Sequence, residues 1–151
     1  GEQEALQRRP FVGKAGRMLD GFLDRLQLKR DEIYISNVVK WRPTRESAKG
    51  RLSNRPPNRQ ELELFMPWLL VETETVSPWL LVTLGNTPLQ AYLGKAAVVG
   101  DHHGHLQATP QGWRHVALYH PAALIYNRAL QSVYDEDLDR LSVLLPQIGQ
   151  E

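Results

Sequence analysis

Cysteine is missing from this chain of 151 residues. Without thiols the chain has no disulfide, no cysteine nucleophile and no thiolate ligand for an iron-sulfur cluster. Apolar runs are also short, and none reaches the roughly 20 residues that a membrane-spanning helix needs. The first residues lack the basic and then apolar pattern of a secretory signal. We therefore expect a cytoplasmic protein with no membrane partner.

Net charge is small, but the charges are spread unevenly. The 18 basic and 17 acidic residues leave a formal charge of +1. Between positions 40 and 59, however, basic residues face a single acid, Glu46. They are Lys40, Arg42, Arg45, Lys49, Arg51, Arg55 and Arg59. Such a band is typical of a surface that binds a polyanion, although a solvated basic loop has the same composition.

The order of helices and strands predicts one α/β domain. With 42% hydrophobic residues, the chain can bury a core of its own. Apolar spacing predicts helices at 14–28, 58–74, 88–93 and 134–145, strands at 33–39, 79–84 and 113–119, and a long loop at 41–58. This alternation favours a three-layer α/β/α sandwich around a small central parallel sheet. Ligands of such sheets bind beyond the carboxyl ends of the strands.

Three side chains suggest a site for a flipped nucleobase. Phe11 lies in a turn shaped by Gly13 and Gly16, so its ring either anchors the loop or forms a plate on which a base stacks. Asn37 interrupts an apolar strand end, and its amide either ties its own loop or reads the polar edge of a base. His120 ends the last predicted strand and is the candidate catalytic group, because an imidazole can stabilise charge on a leaving base.

A metal site is a competing interpretation for the segment 101–105, which reads Asp-His-His-Gly-His. Histidine and aspartate are good ligands for zinc-like ions. Consecutive residues of one loop rarely converge on one ion, however, and the remaining histidines are His115 and His120. We therefore expect an exposed turn here and no bound metal.

The segments 9–16, 34–40 and 119–124, in this order, resemble the motifs of the uracil-DNA glycosylase superfamily, and most of all its family 4 branch. The resemblance runs from residue 1 to about residue 145 and includes the strand-to-helix turn at 84–87. It implies a small parallel sheet between helices. It also implies a site that holds uracil after the nucleotide has been flipped out of DNA.

The resemblance assigns roles to individual residues. It implies that Phe11 stacks on uracil, Asn37 reads its edge and His120 supports the anionic leaving base. The loop after His120 would enter the DNA helix. The DNA contacts that we expect are Lys40 and Arg42 on phosphates, and Pro121, Ala122 and Leu124 in the loop, with Leu124 as an apolar wedge.

Two features depart from the family. Its members carry an iron-sulfur cluster, but Trp41 and Met66 stand where two of the cluster's cysteines are expected. Both replacements are bulky and apolar, so we expect packing to fill this volume and no cofactor to be bound. The family's water-activating side chain comes just before the glycine that matches Gly1, at the end of a central strand. We therefore expect residues 1–151 to form one domain of this type without its first strand.

The resulting hypothesis is a monomeric uracil-DNA glycosylase, which hydrolyses the N-glycosidic bond of deoxyuridine in DNA during base excision repair. Uracil-containing DNA is its expected partner. Two alternatives stay open: a relative that binds DNA without cleaving it, and an enzyme that processes free nucleotides or nucleosides in the same crevice. Covalent attachment to the sugar through a loop histidine, as in one branch of the superfamily, is disfavoured because the loop 41–58 contains no histidine.

Overall fold

The computed structural model describes residues 1–149 and alternates helices with short strands. The helices are α1 (Glu2–Gln7), α2 (Lys14–Arg25), α3 (Arg59–Val76), α4 (Asn86–Leu93), α5 (Val99–His102), α6 (Ala123–Tyr126) and α7 (Leu130–Ile148), with a 3-10 turn at Arg30–Glu32. The strands are β1 (Thr44–Glu46), β2 (Leu52–Asn54), β3 (Leu81–Leu84), β4 (Leu106–Ala108) and β5 (Arg114–Leu118). None of these helices is both long and apolar enough to cross a membrane.

The central sheet has three strands in the order β3-β5-β4. β3 and β5 run parallel, with Leu81 opposite His115 and Leu84 opposite Leu118. β4 is antiparallel to β5, so the sheet is mixed, whereas the sequence predicted parallel strands alone. The carboxyl ends of β3 and β5 therefore lie side by side and deliver Gly85 and the segment after Leu118 to the same edge.

Helices cover both faces of this sheet. Because side chains alternate along a strand, Val116 and Leu118 of β5 pack against α2 and α7, while Ala117 packs against Leu89 of α4 and Val99 of α5. A further apolar cluster joins α3 and α4. The α/β sandwich with three layers that the sequence predicted is confirmed, and its three-stranded sheet contains β4 instead of the predicted strand 33–39.

The predicted strand 33–39 is not a strand. This segment joins no ladder in the described chain, although Val38 and Val39 are buried against Leu69 and Tyr92. A β-branched apolar run indicates burial, but a strand also needs a neighbour that pairs with its backbone groups. β3 lies at the edge of the described sheet and could serve as such a neighbour, but its one partner there is β5.

The long basic loop contains a hairpin that the sequence pattern did not reveal. β1 and β2 pair antiparallel, with Thr44 opposite Asn54. Their side chains are largely polar, so they lack the apolar alternation that marks a half-buried strand.

An ion pair joins the end of the hairpin to α3. Both terminal nitrogens of Arg55 donate to the Glu61 carboxylate at 2.7 Å. This contact is the main reason that the pKa of Glu61 is lowered to about 2.

Helix α3 begins where the sequence predicted. The side chain of Asn58 accepts the backbone N–H of Glu61 at 2.9 Å, and the Glu61 carboxylate accepts the backbone N–H of Asn58 at 2.8 Å. This reciprocal capping box satisfies two amide groups that a helix start otherwise leaves unpaired. Asn58 is therefore the N-cap of α3.

Candidate nucleobase site

A cavity of about 1570 Å³ lies between α2, α3, α7 and β3. Phe11, Asn37 and His120 all line it. The Phe11 ring lies 5.7 Å from the His120 imidazole, measured between ring centres, at an interplanar angle of 29°. Three side chains that are 26 and 83 residues apart in sequence thus line one cavity, although only His120 follows a strand of the sheet.

The turn that carries Phe11 is held by charged side chains on two sides. Oε1 of Glu4 accepts the backbone N–H groups of Val12 at 3.1 Å and Gly13 at 2.9 Å. From the other side, the Arg30 guanidinium donates to the carbonyl oxygen of Phe11. Burial by itself would raise the pKa of Glu4, but the hydrogen bond from Gly13 helps to bring that pKa below its ordinary value, so the carboxylate stays charged.

The backbone at Phe11 has an unusual conformation. Its φ angle is 53°, in the left-handed region that an aromatic residue rarely occupies. A Cβ atom on Gly16 would lie 1.9 Å from the Phe11 carbonyl oxygen, so only glycine lets the first turn of α2 approach so closely. Strain of this kind persists where surrounding contacts impose it, and it is common at functional sites. The Glu4 and Arg30 contacts impose it here.

His120 is a neutral hydrogen-bond donor at the end of β5. Its Nδ1 accepts the backbone N–H of Ala122 at 3.0 Å, which leaves the ring proton on Nε2. Burial lowers the pKa of His120, so the ring is uncharged at neutral pH. Gly85, at a φ of 83°, lets β3 come close, because a Cβ there would stand 3.1 Å from the His120 Cβ.

Asn37 is exposed at the mouth of the cavity. Within residues 1–149 its side-chain amide makes no hydrogen bond, so it does not tie its own loop, and both its donor and its acceptor are available. Its backbone carbonyl, in contrast, accepts a hydrogen bond from Nζ of Lys40 at 2.8 Å. Lys40, predicted as a phosphate contact, also forms an ion pair with Glu72 at 2.5 Å.

Arg42, which the sequence predicted to contact phosphate, lies beside the candidate site. It lines the main cavity, and with Arg8 and Arg9 it also lines a smaller neighbouring one. Its Nε donates to Oδ1 of Asn54 at 2.7 Å, and the described chain gives it no carboxylate partner. Its positive charge is therefore not neutralised within the protein.

The loop after His120 differs from the sequence-based prediction in one residue. Leu124, predicted as a wedge, is 6% exposed and belongs to the core with Val116 and Leu138. The short helix α6 turns it inward, and a side chain held there does not enter DNA. Tyr126, which ends α6, is 87% exposed and lines the cavity. Pro121 is fully buried and Ala122 half-buried.

The positions that correspond to cluster ligands do not suit an iron-sulfur cluster. Trp41 packs edge-on against Phe65, with ring centres 4.8 Å apart at 83°. Met66 packs against the cluster around Val38 and Val39. An iron-sulfur cluster needs thiolate ligands, and neither an indole nor a thioether supplies one. The residues present therefore do not fit this group.

The histidine segment 101–105 makes structural contacts. Nδ1 of His102 lies 2.9 Å from Oε1 of Gln107, and Nδ1 of His103 lies 2.7 Å from Oδ2 of the buried Asp137. Across the described part of the chain, no three His, Asp or Glu side chains are arranged to hold a metal ion. The second contact ties the end of α5 to α7.

Comparison with known proteins identifies the family of this chain. The family model of the Uracil DNA glycosylase superfamily matches residues 1–141. The chain belongs to this superfamily. It is 34% identical over 145 residues to the type-4 uracil-DNA glycosylase of Pyrobaculum aerophilum, which covers 91% of the chain and 70% of that protein. The superfamily membership and the likeness to its type-4 branch, which the three motifs predicted, are confirmed.

Other members of the superfamily give the same result. The type-4 uracil-DNA glycosylase of Thermotoga maritima is 31% identical over 152 residues, or 99% of the chain and 75% of that protein. The one from Sulfurisphaera tokodaii is 30% identical over 152 residues, or 95% of the chain and 66% of that protein. The chain thus spans between about two thirds and three quarters of the length of these relatives.

Proposed function

We propose that this protein is a DNA glycosylase that hydrolyses the bond between uracil and deoxyribose in DNA. One observation carries the proposal: in a member of the superfamily, Phe11, Asn37 and His120 line the same cavity. An aromatic face, an unpaired amide and a neutral imidazole are the groups that stack a planar base, read its edge and stabilise it as it leaves.

In the proposed reaction, the oxygen of a water molecule forms a bond to C1′ of the sugar while the C1′–N1 bond breaks. The bonding electron pair leaves with uracil as an anion, and the proton lost by water is finally returned to the base. The sugar has oxocarbenium character in the transition state, so stabilising the anion lowers the barrier. The Nε2–H group of His120 donates a hydrogen bond to the uracil oxygen that gains charge.

Asn37 would select the base. Uracil presents a carbonyl oxygen next to an N–H group, so the amide of Asn37 can donate to the first and accept from the second. Cytosine presents an amino group and an unprotonated nitrogen at these positions, so both pairings fail. A buried polar pair that is mismatched costs enough free energy to reject the wrong base.

Contacts with DNA would come from two sides of the opening. Arg42 would hold a phosphate on one side, and the loop with Pro121 and Ala122 would approach the helix on the other. The side chain that enters the space left by uracil would be Tyr126, since Leu124 lies in the core. An aromatic ring can fill this space and stack on the neighbouring bases.

A further strand beside β3 would complete the site. Among residues 1–149, β3 has a partner strand on one side only, and its Val82 is 38% exposed, so its other edge could accept a strand. The segment 33–39 lines the cavity and joins no ladder within residues 1–149, and Gly1 lies on the wall of the same cavity. A strand that leads into Gly1 would pair with both, and it would bring the water-activating group that the resemblance places just before Gly1. Glu4 is engaged with the Phe11 turn and serves as a positioning residue.

The proposal also covers the cofactor, the oligomeric state and the location of the enzyme. It works without an iron-sulfur cluster, since Trp41 and Met66 supply packing where ligands are needed. A monomer suffices for the proposed site, because Phe11, Asn37 and His120 of a single copy line the same cavity. A cytoplasmic location would follow from a role in DNA repair.

The test is excision of uracil from a defined oligonucleotide. The chain, and a form extended before Gly1 through the proposed strand, are incubated with DNA that contains one uracil, and abasic sites are then cleaved with alkali. Matched controls are the same DNA with thymine and the His120→Ala variant. We expect breaks at uracil with the extended form. No breaks with either form, together with DNA binding, would favour the non-catalytic relative. Cleavage of free deoxyuridine alone would favour the nucleoside enzyme.

A further inference from the structure

Asn37 needs a rigid backbone if its amide is to read a base. Recognition by hydrogen bonds requires the reading group to stay within about 0.5 Å of its working position. In the part of the chain that the structure describes, the segment 33–39 joins no ladder that would provide this rigidity. Its rigidity must therefore come from side chains, and one carboxylate on α3 makes most of the contacts.

That carboxylate belongs to Glu72. Its Oε1 accepts hydrogen bonds from the Tyr34 hydroxyl at 2.8 Å and the Ser36 hydroxyl at 2.9 Å. Its Oε2 accepts from Nζ of Lys40 at 2.5 Å. Glu72 thus holds the segment at three points on both sides of Asn37.

All three N–H donors of the Lys40 ammonium group have acceptors within the protein, so none is left for a phosphate. A lysine carries three N–H donors. Here Nζ lies within hydrogen-bond distance of three acceptors: Glu72, the Ser36 hydroxyl at 2.7 Å and the Asn37 carbonyl at 2.8 Å. The last contact joins the charged pair directly to the backbone of the residue that would read the base.

The helix that carries Glu72 is a firm support. Leu69 and Thr73, which flank Glu72 on α3, are 5% and 6% exposed. Burial by itself would raise the pKa of Glu72, but hydrogen bonds from Lys40, Tyr34 and Ser36 bring it below its ordinary value. The carboxylate therefore stays charged at neutral pH, and its partners stay in place.

We propose that Lys40 and Glu72 are positioning residues that fix Asn37 for reading uracil, and that Lys40 is not a phosphate contact. This inference rests on the proposed function. It extends the specificity determinants to α3, about 35 residues from Asn37 in the chain.

The test compares binding of two oligonucleotides, one with a single uracil and one with cytosine in its place, over a range of salt concentrations. The variants are Glu72→Gln and Lys40→Met. We expect each to reduce the preference for uracil by about tenfold, or about 1.4 kcal/mol. The salt dependence of binding to the cytosine DNA should not change. The matched control is Glu63→Gln, which breaks an exposed ion pair with Arg59 on the same helix and should leave the preference intact.

A phosphate role for Lys40 predicts different results. Lys40→Met would then lower the slope of log affinity against log salt by about one, for both oligonucleotides. Glu72→Gln would release the lysine and strengthen binding to both. Either pattern, with an unchanged preference for uracil, overturns the inference.

Two further variants protect the test against a loss of folding. Tyr34→Phe removes one hydrogen bond to Glu72 from an exposed side chain, and we expect a smaller loss of preference in the same direction. The double variant of Lys40→Met and Glu72→Gln should lose little more than either single variant, since both remove one contact. Additive losses would contradict a shared role.

Failure of this inference is distinguishable from failure of the proposed function. If the unmodified protein neither prefers nor excises uracil, the proposed function fails and the inference fails with it. If the unmodified protein prefers uracil and the Glu72 and Lys40 variants keep the full preference, only the inference fails.

Discussion

His120 and Asn37 reach the same cavity by different structural means. His120 follows β5, which is paired on both sides within the sheet and buried along most of its length. Asn37 lies in a segment that joins no ladder with any described residue, and the side chains of Lys40, Ser36 and Tyr34 tie that segment to Glu72. The side of the cavity that carries His120, the His120 wall, is thus fixed by backbone pairing. The side that carries Asn37, the Asn37 wall, is fixed by polar side chains.

This difference separates two properties of the site. Backbone pairing depends little on the identity of any one side chain, so the His120 wall should withstand substitution at its surface. The Asn37 wall depends on a few hydrogen bonds, so single changes there should alter base selection. The following predictions test this contrast, from the largest expected effect to the smallest.

Removing the imidazole tests the chemistry at the His120 wall. His120→Ala should lower the rate of uracil excision by the extended form by about a hundredfold to a thousandfold, since one donor to a developing anion is lost. The fold should be retained with a modest loss of stability, because the β3 and β5 pairing does not involve this side chain, whereas the hydrogen bond from Ala122 and the contact with Phe11 are lost. Single-turnover kinetics and thermal unfolding measure the two effects. Full activity in the variant would remove His120 from the reaction.

The strand β5, which leads to the His120 wall, also carries a group that should make the stability of the fold depend on pH. Burial, chiefly, lowers the pKa of His115 in β5 to about 4, while the unfolded value is near 6.5. The unfolded chain therefore binds more protons between these values, and stability should fall by up to about 3 kcal/mol as the pH drops from 6.5 to 4. Above pH 6.5 this contribution is fully present.

Thermal unfolding at several pH values measures the His115 effect. His115→Asn should flatten the fall between pH 6.5 and 4, whatever its stability at neutral pH. His105→Asn, at an exposed histidine near α5, is the control and should leave the fall unchanged. An equal fall in the His115 variant would show that another group is responsible.

The Phe11 turn offers a steric test near the same wall. Gly16→Ala places a methyl group against the Phe11 carbonyl, so the turn must move. We expect a loss of about 1 to 3 kcal/mol in stability and weaker binding of uracil DNA. Gly21→Ala on the same helix is the control: a Cβ there has nothing within 4 Å, and alanine favours a helix. Equal stability of the two variants would contradict the contact.

A substitution in the Asn37 wall is expected to weaken the selection of uracil without lowering the stability of the protein. Asn37→Ala should reduce the preference for uracil over cytosine by about tenfold. The melting temperature should stay close to that of the unmodified protein, because the amide makes no hydrogen bond within the described residues. Competition binding and calorimetry check this prediction. A large drop in melting temperature would show that Asn37 is structural.

The sequence predicted that three residues share one site, because each lies beside a strand-like run or a glycine-shaped turn. Phe11, Asn37 and His120 all line the cavity. Burial of Leu124 could not be predicted, since four residues of helix α6 decide where that side chain points and the motif does not reveal it. The exposed residue of that helix is Tyr126.

The structure of the segment around Asn37 was predicted least well. Its apolar residues predicted a strand, and burial of Val38 and Val39 agrees with that pattern. Whether a strand forms depends on a partner, which local sequence does not reveal. In the same way, nothing near Lys40 points to Glu72, because contacts between residues so distant in the chain arise only when α3 packs against the segment.

The central claim is that the two walls together hold one uracil. Titration of the protein with free uracil, followed by NMR, tests it most directly because it needs no catalysis. We expect uracil to shift the signals of the Phe11 ring, the Asn37 side-chain amide and the His120 imidazole together, and cytosine to shift them far less. Shifts confined to one wall, or equal shifts with both bases, would contradict the account.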